Sequence, residues 1–123
     1  MSPFLERLEK DARGALTAIL ILSIIQKEEK IWGYQIKKEL KEITNATSHI
    51  KDSSLYTVLR NLEKNYKLLS SEMKERRRYY SLTKLGMQEI THAFEYWLSL
   101  IQTSMRAFEK LKIDIRIEMK EVV

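Results

Sequence analysis

Cysteine is absent from the 123 residues. This excludes disulfides, thiolate-bound zinc, iron–sulfur clusters and thiol nucleophiles together, and it fits a cytoplasmic setting. Glycine occurs 3 times and proline once, so long helices with few elaborate loops are expected. The 2 histidines, His49 and His92, lie far apart and have no His, Asp or Glu partner at ligand spacing, so no metal site is expected. There is no Gly-rich phosphate loop, and Ser53 and Ser54 have no evident histidine base. No cofactor and no enzyme activity are therefore expected. The apolar stretch Ala15–Ile25 has 11 residues, whereas a membrane span needs roughly 20. The charges before it balance and no small-residue cleavage site follows, so it reads as neither a span nor a signal peptide.

What remains is an ordinary globular composition, 44% hydrophobic and 32% charged, enough for one domain around one core. The formal net charge is +5, and it is not evenly spread. Residues 1–26 and 84–123 are each neutral, while residues 27–83 carry 13 basic and 8 acidic groups. A basic excess confined to the middle of a chain is the footprint of a phosphate-binding surface, with a solvated basic surface as the plainer alternative.

Ser2 and Pro3 read as cap and first residue of a short helix with Phe4, Leu5 and Leu8 on one face. A second helix, Gly14 to about Gln26, is apolar nearly all round and belongs at the centre of the domain. Residues 27–30, KEEK, read as a polar connection. Gly33 then opens an amphipathic helix with Ile36, Leu40 and Ile43 on one side. Residues 44–50 are polar and read as a loop. A third helix, residues 53–64, is capped by Asp52 or Ser53. Spaced at about 100° per residue, Leu55, Val58, Leu59 and Leu62 share one face and the polar residues take the other. Residues 68–72 and 78–83 read as two strands joined by a loop without Gly or Pro, and the asparagine at position 65 is a candidate for a left-handed turn. Thr83 caps a last long helix. In it Met87, Ile90, Phe94, Trp97, Ile101, Ser104, Phe108, Leu111 and Ile115 alternate in steps of three and four, a heptad seam. A helix of roughly 30 residues would be about 45 Å long and outreach the domain. Self-association through Ile90, Phe94, Trp97, Ile101 and Phe108 is the economical way to cover it; folding back on its own domain is the alternative.

Three helices followed by a hairpin is the order of a winged helix-turn-helix, so the fold expected is mainly α with a small β-hairpin, plus a long C-terminal dimerisation helix. Residues 1–83 would form the DNA-binding domain with its N-terminal helix, and residues 84–123 the dimerisation helix. In such a fold the third helix enters the major groove of double-stranded DNA and the wing lies on neighbouring backbone. Ser53, Ser54, Thr57, Arg60, Asn61 and Lys64 on the polar face can donate to phosphates and base edges. In the wing, strand parity puts Arg77, Tyr79 and Ser81 on an outer face and Tyr80 and Leu82 on the core face, with Lys74 and Arg76 near the tip. Lys74, Arg76, Arg77 and Tyr79 are therefore the expected DNA contacts of the wing, with Arg76 and Arg77 first among them. Arg78 shares parity with the core face and is the weakest of the three arginines as a DNA contact. The rival reading is a winged-helix assembly module that binds protein and no DNA.

Three segments, GYQIKKEL at 33–40, LYTVLRNLEK at 55–64 and RRYYSLTKLG at 77–86, resemble the signatures GYxIxxxL, LYPxLxxLExxGL and RxYYxLTxxG of PadR-like transcriptional regulators. The resemblance covers about residues 14–86 in the right order. It implies a homodimeric, cytoplasmic regulator, most simply a repressor, with an inverted-repeat operator. It implies that Tyr34 and Tyr56 edge the DNA surface and that Ser54, Thr57, Arg60 and Asn61 lie on the recognition helix. Tyr80, Leu82 and Thr83 then match the wing strand and the cap of the dimer helix. Many relatives sense small aromatic molecules, so Trp97 is a candidate ligand contact, with packing of the dimer seam as the simpler role. Two departures stand out. Thr57 occupies the usual Pro position, which should leave the helix more regular. EKNYKLL, residues 63–69, lacks the usual Gly and is one residue longer.

Overall fold

The computed structural model describes residues 2–44 and 52–113, with the side chain of Asp52 excepted. Helix α1 runs from Pro3 to Glu28. The Leu5 N–H donates to the Ser2 hydroxyl at 3.2 Å, so the expected cap is in place. The expected break at Gly14 is not: one helix replaces two. Glycine in a helix costs only about 1 kcal/mol against alanine, and Arg7–Asp11 and Arg13–Glu9 pairs brace the turns around it at i,i+4 spacing. The helix stops at Glu29, whose φ of 66° ends it while its N–H returns to the Ile25 carbonyl at 2.9 Å.

The KEEK connection leads into an element absent from the sequence reading, strand β1, Ile31–Trp32. Two residues carry no periodicity that could announce a strand. Helix α2 follows, Gly33–Ile43. Ile36 and Leu40 are buried as expected, but Ile43 is exposed in the last turn. The expected loop at 44–50 lies almost wholly outside the described residues, as does the side chain that would cap the next helix from position 52. Helix α3 spans Asp52–Arg60 and continues as a π-helical turn over Asn61–Asn65.

Strands β2, Leu69–Lys74, and β3, Arg77–Leu82, form the wing. The sheet is three-stranded and antiparallel in the order β1-β3-β2, with Ile31 opposite Tyr80 and Tyr80 opposite Ser71. The strands run further towards the tip than expected, and the connection is a two-residue turn of Glu75 and Arg76. Both residues are left-handed, with φ of 52° and 67°. Such turns ordinarily use Asn-Gly, which is why the hairpin was hard to read. Helix α4, Lys84–Lys110, starts at Thr83, whose hydroxyl accepts from the Gly86 N–H at 3.0 Å.

The core lies where the elements converge. Ile21 and Ile25 of α1, Ile36 and Leu40 of α2, Leu55 and Leu59 of α3, Leu69 and Tyr80 of the wing, and Ile90 of α4 form one buried cluster. At roughly 1.5–3 kcal/mol per fully buried aliphatic side chain, this cluster is the main source of stability. It also sets the angle at which α3 and the wing leave the domain. No helix among the described residues is long and apolar enough to cross a membrane.

Candidate nucleic-acid interface

The two faces of α3 separate as the residue spacing requires. Leu55, Leu59 and Leu62 are buried and Val58 packs at the edge of the core. Ser53, Ser54, Tyr56, Thr57, Arg60, Asn61 and Lys64 are all exposed. The Thr57 hydroxyl donates to the Ser53 carbonyl at 2.8 Å, so it offers a partner only its lone pairs. Asn65 Nδ2 donates to Asn61 Oδ1 at 2.8 Å.

The regular helix expected from Thr57 ends at Arg60. In the π-turn the Tyr66 N–H reaches the Asn61 carbonyl at 3.0 Å, an i→i+5 bond. A turn of this kind holds one residue more than an α-helical turn, and it falls just before the chain turns into the wing. The residue that takes the left-handed turn is Lys67, at φ 60°, not Asn65. The Leu68 N–H then closes on the Leu62 carbonyl at 2.8 Å and directs the chain into β2.

Tyr56 lies against the first residue of α2. A Cβ added at Gly33 would come within 2.8 Å of the Tyr56 ring, so glycine there makes room for the tyrosine. Tyr34 is exposed beside Trp32, with ring centroids 5.4 Å apart and planes tilted by 39°. The Arg77 guanidinium sits 4.3 Å above the centre of the Trp32 ring, a cation–π contact. Arg77 is directly opposite Lys74 in the ladder, and the ring draws it away from that like charge.

The wing residues therefore divide. Arg77 and Tyr79 share one face of β3 by strand parity, and Lys74 and Tyr79 line a hollow with Lys30 and Glu75. Lys30 is ion-paired there with Glu72, whose carboxyl is held below its usual range chiefly by the hydrogen bond from Lys30. Arg76 stands at the tip. The opposite face carries Arg78 and Tyr80. Together with Tyr56, Arg60, Glu63 and Lys64 these line a cleft of about 360 Å³ between α3 and the wing. Arg78 is thus the wing arginine that shares the α3 cleft, whereas Lys74, Arg77 and Tyr79 do not line it. Its core-face parity had pointed away from this role. Beyond the edge of the core, however, the same face looks onto the end of α3. Tyr80 is buried, and burial pushes its phenol above the usual range, partly offset by the Arg78 guanidinium.

Along α4 the seam residues meet different fates. Ile90 is fully buried and closes the domain's own core, so it offers no surface to a second chain, contrary to the sequence expectation. Phe94, Ile101 and Phe108 are 41%, 47% and 40% exposed, and Trp97 is half-buried. Ser104, the polar member, bonds its hydroxyl to the Leu100 carbonyl at 2.7 Å. Ile115 lies outside the described residues, as does His49. His92 is exposed, 3.9 Å from Glu89, and among the described residues no three potential ligands gather around a metal-sized space.

The model of the transcriptional regulator PadR-like family matches residues 21–92, more than half the chain. The chain belongs to the PadR-like family of transcriptional regulators. This PadR-like chain is 33% identical over 91 residues to an uncharacterised protein of Lysinibacillus sphaericus, covering 69% of this chain and 80% of that one. A transcriptional regulator from Clostridium thermocellum superposes with a TM-score of 0.68 at 31% identity, over 80% of this chain and 97% of that structure. A PadR family transcription regulator from Clostridium difficile superposes with a TM-score of 0.61 at 28% identity, over 75% and 96% respectively. The matched region runs from the core half of α1 to the near end of α4. It therefore contains α3, the wing and the cleft between them.

Proposed function

We propose that this PadR-like regulator is a homodimeric, sequence-specific DNA-binding repressor acting on an inverted-repeat operator. The observation that carries the reading is the exposed arc of Ser53, Ser54, Tyr56, Thr57, Arg60, Asn61 and Lys64 along α3 and its π-turn, beside a basic wing. Hydroxyl, amide and guanidinium groups on one helix face suit the major groove. Arg76 and Lys74 at the wing end suit adjacent phosphates. Residues 1–83 form the DNA-binding unit in this reading, and the far part of α4 joins two copies. Phe94, Trp97, Ile101 and Phe108 supply the apolar strip, and Phe4, Leu5 and Leu8 leave a second uncovered face on α1. Two recognition helices would then meet half-sites about one helical turn apart.

The test is binding to DNA from upstream of the protein's own coding sequence, followed by footprinting and salt titration. Paired protections on one face of the duplex and a steep fall of affinity with salt are expected, because each neutralised phosphate releases counterions. A flat salt response, or no protection anywhere on that DNA, would sink the reading.

A further inference from the structure

Three side chains from three different elements meet beside the α3 cleft. The Ser71 hydroxyl, on β2, donates to Glu63 Oε2 at 2.7 Å, and an Arg78 guanidinium nitrogen, on β3, donates to the same hydroxyl at 2.9 Å. The direction of this relay is not a choice. A carboxylate only accepts and a guanidinium only donates, so the serine proton must point at Glu63 and its lone pair at Arg78. Glu63 belongs to the π-turn that ends the recognition helix, so the relay joins that helix to both wing strands. Ser71 and Glu63 are half-buried while Arg78 is exposed. The register explains the reach. Arg78 is opposite Met73, and Ser71 lies on the diagonal, back along β2 from the hairpin tip. The guanidinium is thus drawn away from the tip and over the cleft.

That cleft is lined by three cations, Arg60, Lys64 and Arg78, and by a single carboxylate, Glu63. Arg60 and Lys64 also belong to the exposed arc of α3, so the cleft is continuous with the surface assigned to DNA. We propose that Ser71 is a positioning residue. Held by Glu63, it aims Arg78 into the cleft, where Arg60, Lys64 and Arg78 clamp the stretch of DNA backbone that passes from the recognition helix to the wing. Three cations against one carboxylate leave an excess of two positive charges, enough for two neighbouring phosphodiesters at one negative charge each. Arg77, whose guanidinium is engaged on Trp32 and which does not line the cleft, has no part in this clamp. The proposal rests on the DNA-binding reading above.

The experiment is a salt titration of the full chain on a random-sequence DNA duplex longer than two helical turns, read by fluorescence anisotropy, with thermal melts as a folding control. Arg78→Ala should lower the salt slope by about one and weaken binding roughly five- to tenfold at 0.1 M salt. Ser71→Ala should lower the slope in the same direction although it removes no charge, and the double variant should be no weaker than Arg78→Ala alone. Ser71→Thr keeps the hydroxyl and should bind like the parent. A steep parental slope left unchanged by Arg78→Ala would overturn the clamp and leave the DNA-binding reading standing. Additive losses in the double variant would overturn the positioning role of Ser71. A flat parental slope would overturn both readings.

Discussion

The two ends of α4 are built on the same repeating pattern and behave in opposite ways. At the near end Thr83 caps the helix, its hydroxyl donates to the Lys67 carbonyl at 2.7 Å, and its N–H reaches the Leu68 carbonyl at 3.0 Å. Gly86 then passes so close that a Cβ would sit 2.2 Å from the Leu68 carbonyl oxygen, and Ile90 is wholly buried. At the far end Phe94, Ile101 and Phe108 are 41%, 47% and 40% exposed among the described residues. A heptad pattern states which residues share a face. It does not state what covers that face, and here the first turns are locked to the domain while the rest stay exposed among the described residues. The near end is also tied to the turn that follows the recognition helix, because Lys67 and Leu68 hold both.

The largest break in this contrast is expected from Ile90→Ala, which empties a fully buried site. It should cost about 2–5 kcal/mol of unfolding free energy in denaturant melts. The same truncation at Ile101 should cost far less in the isolated chain. Gly86→Ala comes next. The obstacle is backbone rather than a flexible side-chain end, so α4 must shift, at about 1–3 kcal/mol. Its Cβ gains helix propensity of at most about 1 kcal/mol, which cannot offset the clash. An unchanged melt for Gly86→Ala would mean that the near end is not locked as described.

At the far end, Phe94→Ser and Phe108→Ser, combined in one variant, should each cost the single chain less than Ile90→Ala does, because both residues are about 40% exposed there whereas Ile90 is wholly buried. If this strip joins two copies, the parent's melting temperature rises with protein concentration and the variant's does not. Sedimentation at several concentrations checks the same point, and a variant that self-associates like the parent would refute the far end as interface. The smallest effect concerns Tyr80, in the core beside the near end. Its phenol titrates above the ordinary value of 10.0 because burial disfavours the phenolate. The unfolded chain therefore ionises first. The stability from this group is complete below pH 10.0 and falls as pH rises towards the folded value. Tyr80→Phe should flatten that alkaline decline, and a decline unaltered by the substitution would assign it to other groups.

Much of the architecture was legible because it depends on side-chain pattern. Ser2 and Thr83 cap as their neighbours suggested, Leu55, Leu59 and Leu62 face inward, and the family signatures fall on α2, α3 and the junction of β3 with α4. What escaped depends on backbone geometry that side chains do not announce. Glu29, Lys67, Glu75 and Arg76 all adopt positive φ without being glycine. Each such residue costs of order 1 kcal/mol or more and is held there by the structure around it. The same holds for β1, which is a strand only because β3 lies beside it, and for the π-turn, whose i→i+5 bond no side chain announces. Arg78 ranked last of the three wing arginines for a related reason. Parity assigned its face correctly, but only the packing of α3 against the wing decides that this face is core at Tyr80 and cleft at Arg78.

Residue spacing and composition along one chain were enough for the helical faces, the Ser2 and Thr83 caps and the concentration of positive charge in residues 27–83. Which wing arginine lines the cleft with α3, and which seam residue belongs to the domain's core, could not be read from any one segment. Those outcomes depend on where separate elements cross, and a crossing is set by the packing of the whole core rather than by any one segment.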